Sequence, residues 1–318
     1  MKRILCFLSV IALLSCAQVN AKKPEKNLRL LYWNIQNGMW SEQGSGYSNF
    51  VKWVSEQKPD ICVWCEGQSH YKTGSDEELP ENERYLVANW STLAARYGHN
   101  YTYVGGHRDN YPQVITSKYP IENVERILGN VDTLVAHGSS WARIKVNGKT
   151  LNIVTVHTWP QAYSYYAQTP EAKEKSKAEF GGNYFRRTEI EYICHHTIDS
   201  VSGAKKQLWM MMGDFNSRSI VDSAQYKHLD SSFYLVHNYV RENTPYLDVI
   251  EKTRTKYVSS TYSGNRIDFI YVTPKLLKRV KDAQIVWDDY TTPVLDPHNL
   301  RNFKIPSDHL PIIVDFKL

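Results

Sequence analysis

Cysteine is scarce in this chain, five in 318 residues, and two of the five, Cys6 and Cys16, fall in the N-terminal stretch. Only Cys62, Cys65 and Cys194 remain for the body, too few for a disulfide framework to be the basis of its stability. Cys62 and Cys65 sit in DICVWCE, which reads as a strand, and a spacing of three sends their side chains to opposite faces. A bridge between them is therefore disfavoured. No second ligand pair at zinc spacing accompanies them, so both read as small buried hydrophobes. Internal repeats, low-complexity tracts and internal linkers are also missing. Charge of one sign is in short supply as well. The formal net charge is +5, of which Lys2 and Arg3 supply two and the balance of KKPEK, Lys22 to Lys26, supplies two more. The remainder from Leu28 onward is about +1, which lacks the strongly basic footprint of a high-affinity nucleic-acid binder and leaves room only for a locally basic groove.

What is present is an ordinary globular composition, 42% hydrophobic and 22% charged, in a chain long enough to bury a large core. Residues 1–21 read as an export signal followed by a short linker to 27, and residues 28–318 as one domain. Lys2 and Arg3 precede an apolar run, Ile4 to Leu14, that is too short to span a bilayer as a helix. Two processing routes stay open. LLSC, ending at Cys16, resembles a bacterial lipobox, whose cysteine would carry a lipid anchor and hold the protein on a membrane. VNA, Val19 to Ala21, suits an ordinary signal peptidase and a secreted or periplasmic product.

The body alternates strands and helices. LWMMM, Leu208 to Met212, is apolar on both faces and too short for a typical helix, as expected of a strand buried on both sides, and it stops at Gly213. Beyond it, Asp214 and Asn216 would share a side if the backbone stays extended, although Gly, Asp and Asn also suit an Asx-type turn. Leu28 to Asn34 and Ile61 to Cys65 read as further buried strands, with a helix after Ser48 between them and Glu66 at the second strand's end. A helix over about Arg84 to Tyr97, closed by Gly98, leads into a β-rich stretch: Tyr101 onward, Val114 to Ser117, Trp141 onward and Leu151 to His157. Asn147-Gly148 is a strong hairpin signal between the last two. Thr169-Pro170 can start a short helix that Gly181-Gly182 stops, and Asn183 can cap the next. RIDFIYV, from Arg266, and SDHLPIIVDF, from Ser307, supply the last strands and carry Asp268, Asp308 and His309.

Asn34, Glu66, His157, Asp214, Asn216, Asp268, Asp308 and His309 thus come from distant parts of the chain, yet each lies at or near a strand end. Singly, each is more often a turn former or a satisfied structural residue. Together they carry more weight, because α/β sheets gather strand-end residues into one cleft.

These stretches resemble the endonuclease/exonuclease/phosphatase, or deoxyribonuclease-I-like, superfamily. WNIQNG around Asn34, DICVWCE, TSKYPI from Thr116, VTVH ending at His157, GDFN at Gly213 to Asn216, NRIDFIYV around Asp268 and SDHLP around Asp308 occur in the family's order and span nearly all of the body. The resemblance implies a four-layer α/β sandwich of two packed mixed β-sheets flanked by helices. It also implies a hydrolase that attacks a phosphoester in line with water. Glu66, with Asn34 and Asp308, would hold Mg²⁺, or Mn²⁺ or Ca²⁺ in its place. Asp214 would orient or deprotonate the water, Asn216 and His157 would donate to the phosphate, and His309 would contact it while Asp268 fixes the His309 tautomer.

Departures from subfamily patterns narrow the substrate. Gln68, two positions after Glu66, stands where abasic-site endonucleases usually carry lysine, and His157 where they carry tyrosine. SGNRIDF departs from the late motif of inositol-polyphosphate 5-phosphatases. His157 looks more like the branch of secreted deoxyribonucleases, sphingomyelinases and phosphatases. Trp159, with Tyr163, Tyr165 and Tyr166, either stacks on substrate or packs its own loop, and Arg186 and Arg187 either hold a phosphate or begin a solvated helix. A nuclease or phosphodiesterase is the first reading, and a phosphatase or phospholipase-C-like enzyme on small or lipid phosphates the second. An inactive binding protein of the same fold is the third. No obligate protein partner is evident.

Overall fold

The strands are apolar on both faces because each sheet is covered twice. In β1 (Asn27–Asn34), Leu28, Leu30 and Tyr32 point to one side and Leu31 and Trp33 to the other, and all are buried. The computed structural model describes residues 26–39, 42, 45–67, 87–105, 111–227, 229–295 and 304–318. Residues 1–21, read above as an export signal, and with them Cys16, lie outside these residues, as does Gln68.

After β1 come β2 (Ile61–Cys65), β3 (Tyr101–Val104), β4 (Val114–Ser117), β5 (Ile121–Gly129), β6 (Leu134–Val146) and β7 (Lys149–His157). Then follow β8 (Leu208–Asp214), β9 (Leu247–Asp248), β10 (Asp268–Val272), β11 (Val280–Ile285), β12 (Val294–Leu295), β13 (Lys304–Ile305) and β14 (Ile312–Lys317). Twelve of them form two six-stranded sheets, ordered β11-β14-β1-β2-β4-β3 and β5-β6-β7-β8-β10-β9. Both are mixed: β1–β2 and β7–β8 are parallel, their other neighbours antiparallel. Leu30, Val63 and Val314 from one sheet meet Ile144, Ile153, Met210 and Ile270 from the other in a shared core.

The outer faces carry helices. On the first sheet, Trp33, Cys62 and Trp64 pack against Phe50, Trp53 and Val54 of α1 (Ser48–Gln57) and Leu93 and Ala94 of α2 (Val87–Arg96). On the second, Val156, Trp209 and Met211 pack under α4 (Gly181–His195), which follows α3 (Pro170–Ala178), and under α5 (Leu235–Asn243). The layers run helix, sheet, sheet, helix, the sandwich that the resemblance implies. Cys62 faces the outer layer and Cys65 the inner one.

Two local readings are corrected. Gly181-Gly182 do not separate a helix from a cap at Asn183; they begin α4, because Phe180 takes the cap position with φ +56°. A Cβ on Gly182 would lie 2.1 Å from the Gln161 carbonyl, so the glycine lets the helix start press onto the loop after Trp159. Asn183 is buried and donates instead to Ser232 Oγ. The second concerns Asp214 and Asn216. Asn216 has φ +44°, so the backbone there is not extended, and its N–H returns to Asp214 Oδ1 at 2.8 Å. The strand end and the Asx turn are both real, in succession.

The hairpin at Asn147-Gly148 forms with positive φ at both residues, 51° and 75°, as a tight turn of this type requires. Thr169 caps α3 by accepting from the Ala172 N–H, with Pro170 in the first turn. β6 starts seven residues before Trp141, at Leu134, and β5 pairs with it.

Candidate functional site

The parallel pair β7–β8 sets the site's register: His157 lies opposite Asp214 as the two strands end together. β10 runs antiparallel to β8 and brings Asp268 opposite Asp214 on the other side. In the first sheet, Asn34 ends β1 beside Cys65, and Glu66 follows at once. All eight strand-end residues therefore gather at one end of the sandwich. Glu66, His157, Asp214, Asn216, Asp308 and His309 line a cleft there, with Asn34 and Asp268 behind them.

Asp268 is fully buried and both oxygens of its carboxylate are hydrogen-bonded. Oδ1 accepts from the Tyr32 hydroxyl at 2.7 Å, and Oδ2 accepts from Ser260 Oγ and from His309 Nδ1, both at 2.8 Å. The Nδ1 proton fixes the His309 tautomer and turns Nε2 to the cleft, 3.7 Å from Asp214 Oδ2 and 3.8 Å from Asp308 Oδ1. Burial alone would lower the His309 pKa, but the Asp268, Asp308 and Asp214 carboxylates hold it well above the usual imidazole value. Asp214 moves the other way from an ordinary carboxyl: burial, with the charge of Asp268, pushes it up to about 7 against the opposing pull of His309. A group so poised can take a proton near neutral pH.

Asn34 bridges two carboxylates. Its Nδ2 donates to Glu66 Oε1 at 3.1 Å and to Asp214 Oδ2 at 3.0 Å, while its Oδ1 accepts from the Gln36 N–H at 3.0 Å. In this arrangement the amide oxygen faces backbone, and the oxygens turned to the cleft are those of Glu66 and the aspartates. Glu66 adopts φ +57° and is held by the Asn37 N–H on Oε2 and by the Gly38 N–H on its carbonyl. Gln36, Asn37, Met39 and Asn216 also have positive φ, so left-handed backbone at non-glycine residues clusters around the cleft, where strain is commonly stored.

Metal-ligating atoms of Glu66, His157 and Asp214 lie within 4.8 Å of one another, as do those of Asp214, Asp268 and His309. The first group opens on the cleft, is rich in carboxylate oxygen, and suits a hard divalent ion with Asp308 nearby. His157 Nε2 is 3.9 Å from Glu66 Oε1, and burial with the neighbouring His137 and His309 keeps its pKa well below the usual value. It enters the site as a neutral ring.

Three residues expected at the substrate take different places. Trp159 lines the cleft, its indole N–H donating to the Tyr163 carbonyl, so it walls the site and packs its own loop at once. Arg186 is buried and engaged with the loop after Trp159 and with its own helix: its guanidinium donates to the carbonyls of Trp159 at 2.8 Å and Gln161 at 3.0 Å and to Asn183. Arg187 points to the outer side, paired with Glu191 and lying over the Tyr239 ring. Both arginines belong to α4, whose start is pressed onto the loop, and this leaves their side chains to hold structure.

Three residues were not anticipated. His137 lines the cleft and stacks on His157, ring centroids 4.2 Å apart, with Tyr111 edge-on to both. The β6–β7 register, extended from Ser140 opposite Thr155, puts Gly138 and not His137 opposite His157, so the hairpin pattern did not single out His137. Glu189, on α4, is fully buried and accepts from the Ala136 N–H at 2.8 Å and the Trp159 N–H at 2.9 Å. It joins the strand bearing His137 to the loop bearing Trp159, and burial pushes its pKa up to about 7. Nothing in its local sequence marks it out.

The model of the Endonuclease/Exonuclease/phosphatase family matches residues 31–309. No curated protein matches the chain. Among solved structures, an AP endonuclease from Archaeoglobus fulgidus superposes with a TM-score of 0.58 at 17% identity, covering 92% of this chain and 100% of its own. The human Nocturnin catalytic domain with bound sulfate gives 0.57 at 13% identity, covering 94% and 95%. A 3′ phosphatase, NExo, from Neisseria, bound to product DNA hairpin, gives 0.56 at 16%, covering 92% and 100%. At these identities the likeness establishes the fold.

Proposed function

Since the chain belongs to the Endonuclease/Exonuclease/phosphatase family and is a phosphoester hydrolase on that ground, we propose that it is an exported, Mg²⁺-dependent phosphodiesterase of nuclease type. The observation that carries the reading is the contact of His309 with Asp268 behind it and Asp214 in front, across the cleft from Glu66. Asp214 accepts the proton of the attacking water, its pKa of about 7 suiting it to that task at neutral pH. The charged His309 ring and the donors of Asn216 and neutral His157 stabilise negative charge on the phosphate oxygens in the transition state. A divalent ion held by Glu66, with Asp214 and Asp308 at its side, would add charge neutralisation at the phosphate; Mg²⁺ is the ion proposed, with Mn²⁺ or Ca²⁺ as substitutes. Asn34 keeps Glu66 and Asp214 at a fixed separation. The named activities of the two DNA-acting neighbours favour a nucleic-acid substrate.

The test is nicking of supercoiled plasmid with Mg²⁺, by the wild type and by Asp214→Ala and His309→Ala. Loss of at least about 10³-fold in rate with an unchanged circular dichroism spectrum is expected for each variant. Full activity in both variants would sink the assignment. No plasmid cleavage, with a chromogenic diester still hydrolysed, would move the substrate to small or lipid phosphates. Inertness toward both, and toward a chromogenic monoester as well, would leave a binding protein.

A further inference from the structure

The end of the sandwich opposite the cleft is cationic. One depression there is lined by Lys275, Lys278, Arg279, Lys281 and Lys317 and by no carboxylate, and a neighbouring one shares Lys275 and Arg279 and adds Arg143 and Lys149. Lys275, Lys278 and Lys281 are exposed. Among the described residues no acid pairs with them, with Lys149 or with Arg279, whereas Arg143 reaches Glu125. The nearby Asp282 and Asp315 are engaged elsewhere, with Arg254 and Arg29. For a body whose net charge is about +1, this concentration is a strong asymmetry.

Strand direction places this end far from the chemistry. β7 runs from Lys149 to His157, and eight steps of extended chain cover about 26 Å. The chain also enters here: the Lys26 N–H donates to the Leu318 carbonyl at 2.7 Å and the Leu318 N–H returns to Lys26 at 2.9 Å, beside Lys317. Ten residues back lies Cys16, within about 35 Å even if fully extended, and Lys22 and Lys23 fall between. A tether at Cys16 would be attached at this face, which favours it as the side turned to a membrane.

We propose that this cationic end is a docking surface for the anionic headgroups of a phospholipid bilayer. A track feeding nucleic acid to the cleft is disfavoured, because neither depression shares a lining residue with it. The orientation follows from the geometry. Docked by this face, the protein turns its cleft away from the bilayer, so its substrate is a soluble phosphoester and not a headgroup of the same membrane. That consequence rests on the function proposed above; the docking itself does not.

The experiment is co-sedimentation of the full chain, as processed on export, with phosphatidylcholine vesicles with and without phosphatidylglycerol. The wild type is compared with a triple variant, Lys275→Glu, Lys278→Glu and Lys281→Glu, and with a control of equal net charge, Lys173→Glu, Lys175→Glu and Lys177→Glu. All three keep the same N-terminus, so any anchor contributes equally. Each lysine near an anionic surface is worth about fivefold in partitioning, so the end-face variant should lose at least about tenfold on anionic vesicles in low salt. The control should bind like the wild type, and none should prefer anionic vesicles in high salt. Equal loss in both variants, or no loss in either, overturns the proposal. So does loss by the end-face variant of binding to a DNA duplex with vesicle binding intact. Circular dichroism confirms the fold of each variant, and Asp214→Ala should dock like the wild type, so failure of docking and failure of the catalytic reading are told apart.

Discussion

Asp268 shows how one buried carboxylate organises its neighbours. Buried charge is costly unless it is hydrogen-bonded, and Tyr32, Ser260 and His309 supply three donors to Asp268. The charges of Asp268, Asp308 and Asp214 hold the His309 pKa well above the usual imidazole value against the effect of burial, and His309 in turn opposes the upward shift of Asp214. At this scale the new residue is His137, a positioning residue whose ring fixes that of His157 by stacking. His137→Ala should lower kcat/KM by about 10²-fold through misplacement of His157. His137→Phe, which keeps a flat ring, should restore activity to within severalfold; a phenylalanine variant as poor as alanine would show that the imidazole nitrogens matter instead. Arg186→Ala should cost about 3 kcal/mol in urea unfolding, because the Trp159 and Gln161 carbonyls lose a buried charged donor. A stable variant with weakened substrate binding would return Arg186 to the phosphate.

Among elements, the β7–β8 pair bears the most on the site, and its close approach depends on Gly213. A Cβ at Gly213 would lie 1.8 Å from the Val156 carbonyl oxygen, backbone against backbone, with no flexible neighbour to yield. Gly213→Ala should therefore destabilise the protein by about 3 kcal/mol and displace Asp214 from His157, lowering activity even at temperatures where the fold survives. Gly203→Ala is the comparison, since that glycine has φ +69° and nothing within 4 Å. It should cost only the left-handed conformation, about 1 kcal/mol, and leave the rate unchanged. Equal effects in the two variants, read by thermal melts, would remove the steric argument.

The whole molecule carries an acid sensitivity in its outer layer. His237, on the buried face of α5, is fully enclosed, and since the Ser217 carbonyl can only accept, Nε2 carries the proton while Nδ1 accepts from the Tyr271 hydroxyl. Burial pushes its pKa down to about 3. The unfolded chain takes up a proton near pH 6.5 and the folded chain does not until about 3, so stability is lost as pH falls between these values, by up to about 1.4 kcal/mol per unit. His237→Gln removes this titration. Its unfolding free energy should fall below that of the wild type at pH 7, and the gap should narrow steadily toward pH 4. Parallel curves across that range would place the acid sensitivity elsewhere.

Much of this architecture was legible in the sequence, and for one reason: a strand buried on both faces is apolar at nearly every position, so Leu208–Asp214, Leu28–Asn34 and Ile61–Cys65 announce themselves, Arg29 and the polar strand ends aside. The turn residues Asn147-Gly148 and the cap at Thr169-Pro170 are equally local. β5 was not legible, because it is a half-exposed edge strand whose charged residues mask its period. Polar residues at strand ends could be found in the sequence, but their partners could not. That Asp268 faces His309, that Asn34 bridges Glu66 and Asp214, and that Glu189 ties β6 to the Trp159 loop depend on register between strands far apart in the chain. The same holds for Arg186, Arg187 and the cationic end. Charge and residue type are written locally; which way a side chain points, and what it meets there, is decided only when the two sheets close on each other.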